Sequence, residues 1–368
     1  MPKAVIETKH YQIANMLQNR IRRLKPHTPI GTIQQFKEEF QVADKTIIQA
    51  LEKLKDLNYI YRPTGKQRYV VADRTKIHLK NILMLRPTFP SPNYESMSKS
   101  IMNEAEKLSW AFSISAYTSM KELQLNKTFR EKHDAVLFLP TSEDFPKEIL
   151  KAIKRPRKPV IVLQQHLNSD SVCSVSVDDY KIGQLAAEHL ISLGHYQCML
   201  LIDQHLDTTI QQRIKGWDDV MQTFGSISNP RYVLNCDVKP GEDSIDATYK
   251  KVSKWLDSEP LEFSAIFTTS EAGAFALLRA FRERHISVPS KVSVITYSGE
   301  ASLCQYMHPE VTAIEISPDD YGQQVTKLLD ENFDNNISSR IIKIEPKLVI
   351  RNSTASFPQT ELPGNVVS

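Results

Sequence analysis

Two groups of polar residues near the N-terminus have types and spacings suited to contacts with a nucleic acid. Lys45, Thr46 and Gln49 fall at the exposed start of one predicted helix. Glutamine can pair with adenine through two hydrogen bonds, and lysine can bond guanine or a phosphate. The second group lies on a predicted β-hairpin and consists of Arg62, Lys66 and Arg68. Their cationic side chains suit phosphate contacts, which position a protein on a duplex.

Three short helices and a hairpin must position these residues. A helix over 7–25 carries one apolar stripe, a second helix opens at 32–35 with capping-box spacing, and a third begins at Asp44 as its N-cap. The apolar residues of the first and third helices are Ile13, Leu17, Ile21 and Leu24, and Ile47, Ile48, Leu51 and Leu54. Two β-prone stretches, 59–62 and 68–71, enclose turn residues. This order predicts a winged helix-turn-helix over residues 1–72.

Charge is divided unevenly along the chain. Residues 1–78 hold 15 Lys and Arg against 7 Asp and Glu, a net charge of +8. The remaining 290 residues hold 31 against 36, a net of −5, and the whole chain carries +3. A basic head on an acidic body favours a polyanionic partner for the head, namely double-stranded DNA. The alternative is that the basic side chains are merely solvated and the head contacts a protein.

The head resembles the winged helix of the GntR family of bacterial regulators. Residues 42–54 (VADKTIIQALEKL) and 65–70 (GKQRYV) match that family's "V-S-R-x-T-V-R-x-A-L-x-x-L" and "G-x-G-x-F-V" patterns. The resemblance adds Thr32, Gln34 and Gly65 to the candidate DNA-binding residues. The family's arginines fall here at Gln34, Asp44 and Ile48, so its mode of base reading is not expected to carry over whole.

The body, from residue 81, predicts an α/β fold. Short apolar runs occur at 82–85, 135–139, 160–163, 199–202, 232–234, 265–267 and 292–295. Helical periods lie between and after them, near 94–108, 145–154, 179–193, 209–224, 244–257, 272–285 and 319–331. Alternation of this kind indicates parallel sheets covered on both faces, and seven strands fit two doubly wound sheets. A cleft at the carboxyl ends of the strands is where such folds bind small molecules.

The body is similar to the effector domain of the LacI/GalR family. Residues 175–195 (VSVDDYKIGQLAAEHLISLGH) match "V-x-V-D-N-x-x-G-x-x-A-x-x-H-L-I-x-L-G-H", with Asp178 or Asp179 as the helix cap. Segments 213–217 (RIKGW) and 347–354 (KLVIRNST) match two further family motifs. The resemblance implies a two-lobed, periplasmic-binding-protein-like domain with a ligand held between the lobes.

The same resemblance implies a set of effector-binding residues. Arg213 matches the family's effector-contacting arginine, whose guanidinium suits paired hydroxyls or a carboxylate. The candidates carried over are Asn93, Tyr94, Gln164, Arg213, Asp243, Ser270, Glu271, Tyr297 and Ser298. The family's ligand-binding aspartate falls at Ser298, and an aromatic of its second lobe falls at Asp243. These departures weaken the case for a free hexose or a purine, and a phosphorylated or acidic sugar remains open.

No catalytic constellation is visible in the chain. The sequence has no GxxxxGK, GxGxxG, GxSxG or HExxH motif, and only 11 glycines. The four cysteines are widely spaced and lack metal-ligand spacing, so we expect reduced, packed thiols. No apolar run reaches membrane-span length and no signal peptide precedes the first helix, which predicts a cytoplasmic protein. We expect no enzymatic activity, no cofactor, no metal and no membrane partner.

The whole layout, a GntR-like head joined to a LacI-like body, resembles the arabinose-repressor type of bacterial transcription regulator. The predicted segments are a head (1–72), a linker (73–80), an effector and dimerisation domain (81–354) and a disordered tail (355–368). Within the effector domain, lobe 1 is expected at about 81–175 and 302–318, and lobe 2 at about 176–301 and 319–354. The expected function is a homodimeric repressor whose operator affinity is controlled by a small molecule, a sugar or sugar derivative. The alternative is a cytoplasmic sensor whose head contacts a protein.

Overall fold

The structure, a computed structural model, divides the chain into two compact units, residues 1–79 and 80–368. It describes residues 9–21, 24–56, 59–63, 68–72, 80–89, 91–128, 133–143, 145–154, 156, 158–165, 172–224, 232–240, 242–299, 303–334 and 340–358. The boundary at 79/80 falls within the predicted linker. None of the described helices is long and apolar enough to cross a membrane.

The first unit contains three helices and a small sheet. Its elements are α1 (Lys9–Ile21), β1 (Pro29–Gly31), α2 (Ile33–Phe40), α3 (Asp44–Asp56), β2 (Ile60–Tyr61) and β3 (Tyr69–Val71). The antiparallel sheet has the order β1-β3-β2, and β1 was not predicted from the sequence. The capping box at 32–35 is confirmed, because Thr32 Oγ1 accepts from the Gln35 amide while the Gln35 side chain accepts from the Thr32 amide.

One apolar core holds the first unit together. Its fully buried members include Ile13, Leu17, Ile21, Phe36, Ile47, Leu51, Leu54 and Val71. The prediction that Ile48 joins this core is wrong: its side chain is 40% exposed. Ile47, Leu51 and Leu54 already form the inward stripe of α3, and Ile48 is rotated by one residue, about 100°, away from it. Asp44 begins α3 as its first helical residue and pairs with Lys37 at 2.9 Å instead of capping the helix.

The second unit contains two lobes, each built on a six-stranded sheet. The elements of lobe 1 are β4 (Asn81–Pro87), α4 (Pro92–Lys107), β5 (Ala111–Tyr117), α5 (Leu125–Thr128), β6 (Ala135–Phe138), α6 (Lys147–Lys154), β7 (Val160–Leu163), β8 (Cys173–Val177), α11 (Pro318–Asp334) and β14 (Ile341–Ile344). All pairs in its sheet are parallel, in the order β14-β8-β7-β6-β4-β5. Its central strands are buried on both faces, which explains their continuous apolar sequences.

Lobe 2 repeats this plan. Its elements are α7 (Asp179–Ser192), β9 (Cys198–Ile202), α8 (Thr208–Thr223), β10 (Val233–Asn235), α9 (Ser244–Leu256), β11 (Ala265–Thr268), α10 (Glu271–Glu283), β12 (Ser293–Ser298), β13 (Thr312–Glu315) and β15 (Lys347–Val349). The sheet has the order β10-β9-β11-β12-β13-β15, and only its β13–β15 pair is antiparallel. The chain crosses between the lobes after β8, after β13 and after β14.

The predicted lobe boundaries are wrong after residue 301. Strand β13 pairs with β12 in lobe 2, although 302–318 was assigned to lobe 1. Helix α11 packs on α4, and β14 pairs with β8, so both belong to lobe 1 although 319–354 was assigned to lobe 2. Helix α11 and strand β14 are placed by partners far away in sequence, whereas β13 pairs with β12, the strand before it; a local apolar pattern specifies neither kind of partner.

The C-terminal segment is ordered further than the sequence predicted. His195 is buried: its Nδ1 bonds Ser264 Oγ at 2.8 Å, and its Nε2 donates to the carbonyl of Ala355 at 2.8 Å. The amide of Phe357 donates to the carbonyl of Leu193 at 2.8 Å. The prediction of a disordered tail from residue 355 is therefore wrong for residues 355–358, and residues 359–368 lie outside the described part of the chain.

Candidate functional site

A cavity of about 460 Å³ lies between the two lobes of the second unit. Its lining includes residues at, or within two positions of, the carboxyl ends of strands of both sheets: Pro87, Thr118, Pro140, Gln164, Val177, Gln204, Ser270 and Tyr297. The carboxyl ends of both parallel sheets therefore face the same space, which is the position that doubly wound folds use for ligands. The volume lies within the range of small-molecule sites, about 300–1,000 Å³.

Arg213 on α8 is the most constrained cation in the lining. Its guanidinium is buried; Nε donates to Asp179 Oδ1 at 2.8 Å and Nη1 donates to the carbonyl of Thr269 at 2.6 Å. The Tyr297 ring lies beneath it, with its centroid 4.0 Å from Cζ. Neither hydrogen bond uses Nη2. Burial raises the pKa of Asp179 to about 6, although the charge of Arg213 opposes this shift.

Two glycines explain how Asp179 on α7 and Arg213 on α8 come together. A Cβ at Gly183 would lie 1.9 Å from the carbonyl oxygen of Arg213, and a Cβ at Gly216 would lie 1.9 Å from that of Tyr180. The two helix backbones therefore cross in direct contact, which only glycine permits. The crossing places the N-terminal turn of α7 beside Arg213. The glycines of the motifs at 175–195 and 213–217 thus serve the ion pair.

The N-terminus of α10 presents two further polar residues to the cavity, Ser270 and Glu271. Beneath them, the buried Asp203 carboxylate accepts hydrogen bonds from Thr269 Oγ1 at 2.7 Å, from the amides of Ser270 and Gly273 at 2.9 Å each, and from Ser270 Oγ. The Asp203 carboxylate thus accepts from backbone amides at the start of α10 that have no carbonyl partner within the helix, and it also holds the Ser270 side chain.

Glu271 carries a carboxyl group with few partners. Among the described residues, the carboxylate interacts with its own backbone amide and accepts one long hydrogen bond from the Gly299 amide at 3.4 Å. Burial raises the pKa of Glu271 to about 7, and the neighbouring charge of Asp203 adds to that shift. Asp207 also lines the cavity, caps α8 by accepting from the Ile210 amide at 3.0 Å, and has a pKa raised by burial.

Lobe 1 contributes amide and aromatic groups. Asn93 and Tyr94 occupy the first turn of α4, and Gln164 follows β7 with a positive φ of 60°. The Gln164 amide donates to the Tyr321 hydroxyl at 3.0 Å, and this hydroxyl donates to the carbonyl of Val175 at 2.7 Å. These contacts hold the turn that exposes the Gln164 side chain to the cavity.

The predicted effector residues divide into two groups. Seven line the cavity: Asn93, Tyr94, Gln164, Arg213, Ser270, Glu271 and Tyr297. The other two were wrongly placed there. Asp243 caps α9 by accepting from the Asp246 amide at 3.0 Å, and Ser298 is fully buried at the end of β12. Sequence reasoning missed Asp179 and Asp207; Asp178 is the cap of α7, so its neighbour Asp179 is free to pair with Arg213.

Replacing Gly299 with alanine is expected to widen the cleft. A Cβ at Gly299, in lobe 2, would lie 2.6 Å from Asn93 Cγ, in lobe 1, so the two lobes must separate or Asn93 must rotate. We expect several-fold faster amide hydrogen exchange over residues 91–95 and 297–299. The double variant Gly299→Ala/Asn93→Ala removes the clash and should restore slow exchange. Unchanged exchange in the single variant would show that the contact does not limit lobe closure.

The predicted DNA-binding residues lie in the first unit. Lys45 and Gln49 are exposed on α3, and Thr46 is half-buried beside them. Arg62 and Arg68 are exposed beside β2 and β3, whereas Gly65 and Lys66 lie outside the described residues. Thr32 is engaged in the cap of α2, and Gln34 donates to Glu38 Oε1 at 2.7 Å. The assignment of these residues to DNA contact stays a prediction.

The chain is similar to a known domain family and to known transcriptional repressors. Residues 187–354 match the model of the periplasmic binding protein-like domain. The arabinose metabolism transcriptional repressor of Halalkalibacterium halodurans is 24% identical over 95% of this chain and 97% of its own length. The transcriptional repressor PurR of Histophilus somni strain 2336 is 23% identical over 86% of this chain and 92% of its own length.

Solved structures show the same fold for the body. A LacI family regulator from Enterococcus faecium with bound ribose superposes with a TM-score of 0.65 and 24% identity, covering 76% of this chain and all of the other. The Escherichia coli repressor ascG gives a TM-score of 0.64 and 20% identity, covering 75% and 99%. The predicted similarity to LacI-type regulators with a periplasmic-binding-protein-like domain is confirmed. Among the described residues, no group of three or more His, Cys, Asp and Glu side chains could hold a metal.

Proposed function

We propose that this chain, a homologue of LacI-type transcriptional repressors with a periplasmic-binding-protein-like domain, is a DNA-binding repressor controlled by a small molecule. The effector binds between the lobes and is a sugar or sugar derivative. The observation that carries the proposal is the buried Arg213–Asp179 pair over Tyr297, presented to a polar cavity at the carboxyl ends of both sheets. A relative named for arabinose metabolism and a similar fold with bound ribose support a carbohydrate.

The proposed head is a GntR-type winged helix that binds a double-stranded operator. Helix α3 presents exposed Lys45, Ile48 and Gln49 on the side opposite its buried stripe, a shape and chemistry that fit a major groove. We infer that two copies bind a pseudo-palindromic site as a homodimer in the cytoplasm. The fold of the body and the absence of a catalytic motif in the sequence support a regulator over an enzyme.

Control follows from linkage between the two sites. An effector that contacts both lobes stabilises one degree of lobe closure, because it loses half of its contacts in the other. Closure that alters the spacing of the two heads in the dimer changes operator affinity, and operator binding must change effector affinity by the same factor. The effector is expected to release the DNA.

The proposal is tested by fluorescence-anisotropy titration of the purified protein with DNA from upstream of its own gene. A scrambled duplex is the control, and both are titrated at two salt concentrations. Tight, salt-sensitive binding that prefers the native sequence supports a regulator, and sugars are then screened for release in the same assay. Weak binding that ignores sequence would contradict the proposal and favour a sensor whose head contacts a protein.

Replacing Lys45 and Arg68 with alanine is expected to weaken DNA binding and to flatten its salt dependence. Each phosphate contact contributes about 0.9 to the slope of log K against log salt, so the double variant should lose up to about two units. Lys250→Ala, an exposed lysine on α9 of the other unit, is the matched control and should change nothing. An unaltered slope in the double variant would remove both residues from the interface.

A further inference from the structure

The interior of the cavity carries more negative than positive charge. Among the described lining residues, the carboxylates are Glu143, Asp179, Asp207, Glu242 and Glu271, and the cationic side chains are Arg213 and Lys239. Glu242 and Lys239 are exposed and contact each other, because the Lys239 amide donates to the Glu242 carboxylate at 3.0 Å. Glu143 is exposed as well, and the other three carboxylates, Asp179, Asp207 and Glu271, lie deeper, around the Arg213 side chain.

Two of the three deeper carboxylates already have partners of opposite charge or polarity. Asp179 pairs with Arg213 at 2.8 Å, which occupies the deep guanidinium. Asp207 accepts from the first turn of α8, where the helix dipole favours a negative charge. A ligand that enters the cleft therefore meets Arg213, which is already paired with Asp179. It also meets carboxylates whose negative charge is only partly balanced by neighbouring groups.

Glu271 is the carboxylate with the weakest compensation. Its polar contacts are its own backbone amide at the start of α10 and the Gly299 amide at 3.4 Å, and no cationic side chain among the described residues forms an ion pair with it. The groups that act on its charge are Asp203, Arg213, Tyr297 and the Cys304 thiol, and Arg213 is the one cation among them. With a pKa of about 7, Glu271 exchanges a proton near neutral pH; a neutral ligand that closed the cleft over it would favour the protonated form, whereas a cationic ligand would stabilise the carboxylate.

We propose that the effector carries a protonated amine in addition to hydroxyl groups, and that this amine pairs with the carboxylate of Glu271. The inference rests on the proposed function and specifies its ligand as an amino sugar or a close analogue. The amide groups of Asn93 and Gln164 supply donors and acceptors for hydroxyls, and Tyr94 supplies an aromatic face. A phosphorylated or acidic sugar, left open by the sequence, is disfavoured because its charge would meet the same carboxylates.

The test is calorimetric titration of the full chain near neutral pH with matched sugars. Glucose, galactose and mannose are each compared with their 2-amino and 6-amino derivatives, and arabinose and ribose serve as additional neutral sugars. We expect at least one amino sugar to bind about tenfold or more tightly than its neutral counterpart, which corresponds to one desolvated ion pair. The variant Glu271→Gln keeps the size and hydrogen bonding of the side chain and should abolish that preference. Glu188→Gln, at an exposed glutamate of α7 outside the cavity lining, should leave it unchanged.

Three outcomes would overturn the inference. They are equal or tighter binding of the neutral sugars, no binding of any amino sugar at millimolar concentration, and a preference that survives Glu271→Gln. The first comparison uses the unaltered protein and stands even if the variant is unstable. If arabinose or another neutral sugar releases DNA and binds at least as tightly as every amino sugar, the inference fails while the proposed function stands. If no DNA binding is found in the anisotropy assay, the proposed function itself fails.

Discussion

Replacing Arg213 with methionine is expected to abolish the response to the effector and to destabilise the second unit by about 3–5 kcal/mol. Methionine keeps an unbranched apolar stem but lacks the guanidinium, so Asp179 is left buried without its partner, and removal of one member of a buried ion pair costs that much. The carbonyl of Thr269 also loses its donor, and the Tyr297 ring loses the cation above it. Chemical denaturation and effector titration of the same protein measure the two effects.

A second substitution separates the role of Arg213 in binding from its role in stability. In Arg213→Met/Asp179→Leu both charges are removed, and apolar replacements of buried pairs are often neutral or stabilising. We expect the double variant to recover most of the lost free energy of unfolding while the effector response stays absent. Recovery of effector binding together with stability would show that Arg213 only supports the fold and does not contact the ligand.

The class of fold was predictable because strand and helix periods alternate through the body. Strands such as β7 and β9 are continuous apolar runs, and each helix between them shows its own period. Strand β5 escaped prediction because it lies at the edge of its sheet, and most of its residues are exposed small or polar side chains. The assignment of α11 and β14 to lobes failed because it depends on packing and pairing between residues far apart in sequence.

The site was predictable only in part, for a similar reason. The motif at 213–217 identified Arg213, and its Gly216 lies where α7 and α8 cross in contact. Asp179 was interpreted as a possible cap, and a run of two aspartates does not reveal which one caps the helix and which one pairs with an arginine. Ser298 and Asp243 were transferred position by position, but one is buried under the cavity floor and the other caps a helix.

Replacing Gly183 with alanine is expected to disrupt the crossing of α7 and α8 on which the Arg213–Asp179 pair depends. The new Cβ would lie 1.9 Å from the carbonyl oxygen of Arg213 and 2.6 Å from the amide nitrogen of Trp217, and both are backbone atoms that cannot rotate away. The helices must move apart, and overpacking of this kind costs about 1–3 kcal/mol, occasionally more. We therefore expect a loss of unfolding free energy of about 3 kcal/mol and weaker effector binding.

The exposed Glu188 on the same helix provides the matched control for this change. Glu188→Ala also adds alanine to α7, and a surface substitution of this kind stays within about 0.5 kcal/mol. Alanine has a higher helix propensity than glycine by about 1 kcal/mol, so propensity alone would make Gly183→Ala stabilising. The sign of the change in unfolding free energy for Gly183→Ala therefore decides whether the clash with α8 or the helix propensity of alanine dominates. A stabilised Gly183→Ala protein with normal effector binding would show that the helices do not cross in contact, and the placement of Asp179 beside Arg213 would lose its explanation.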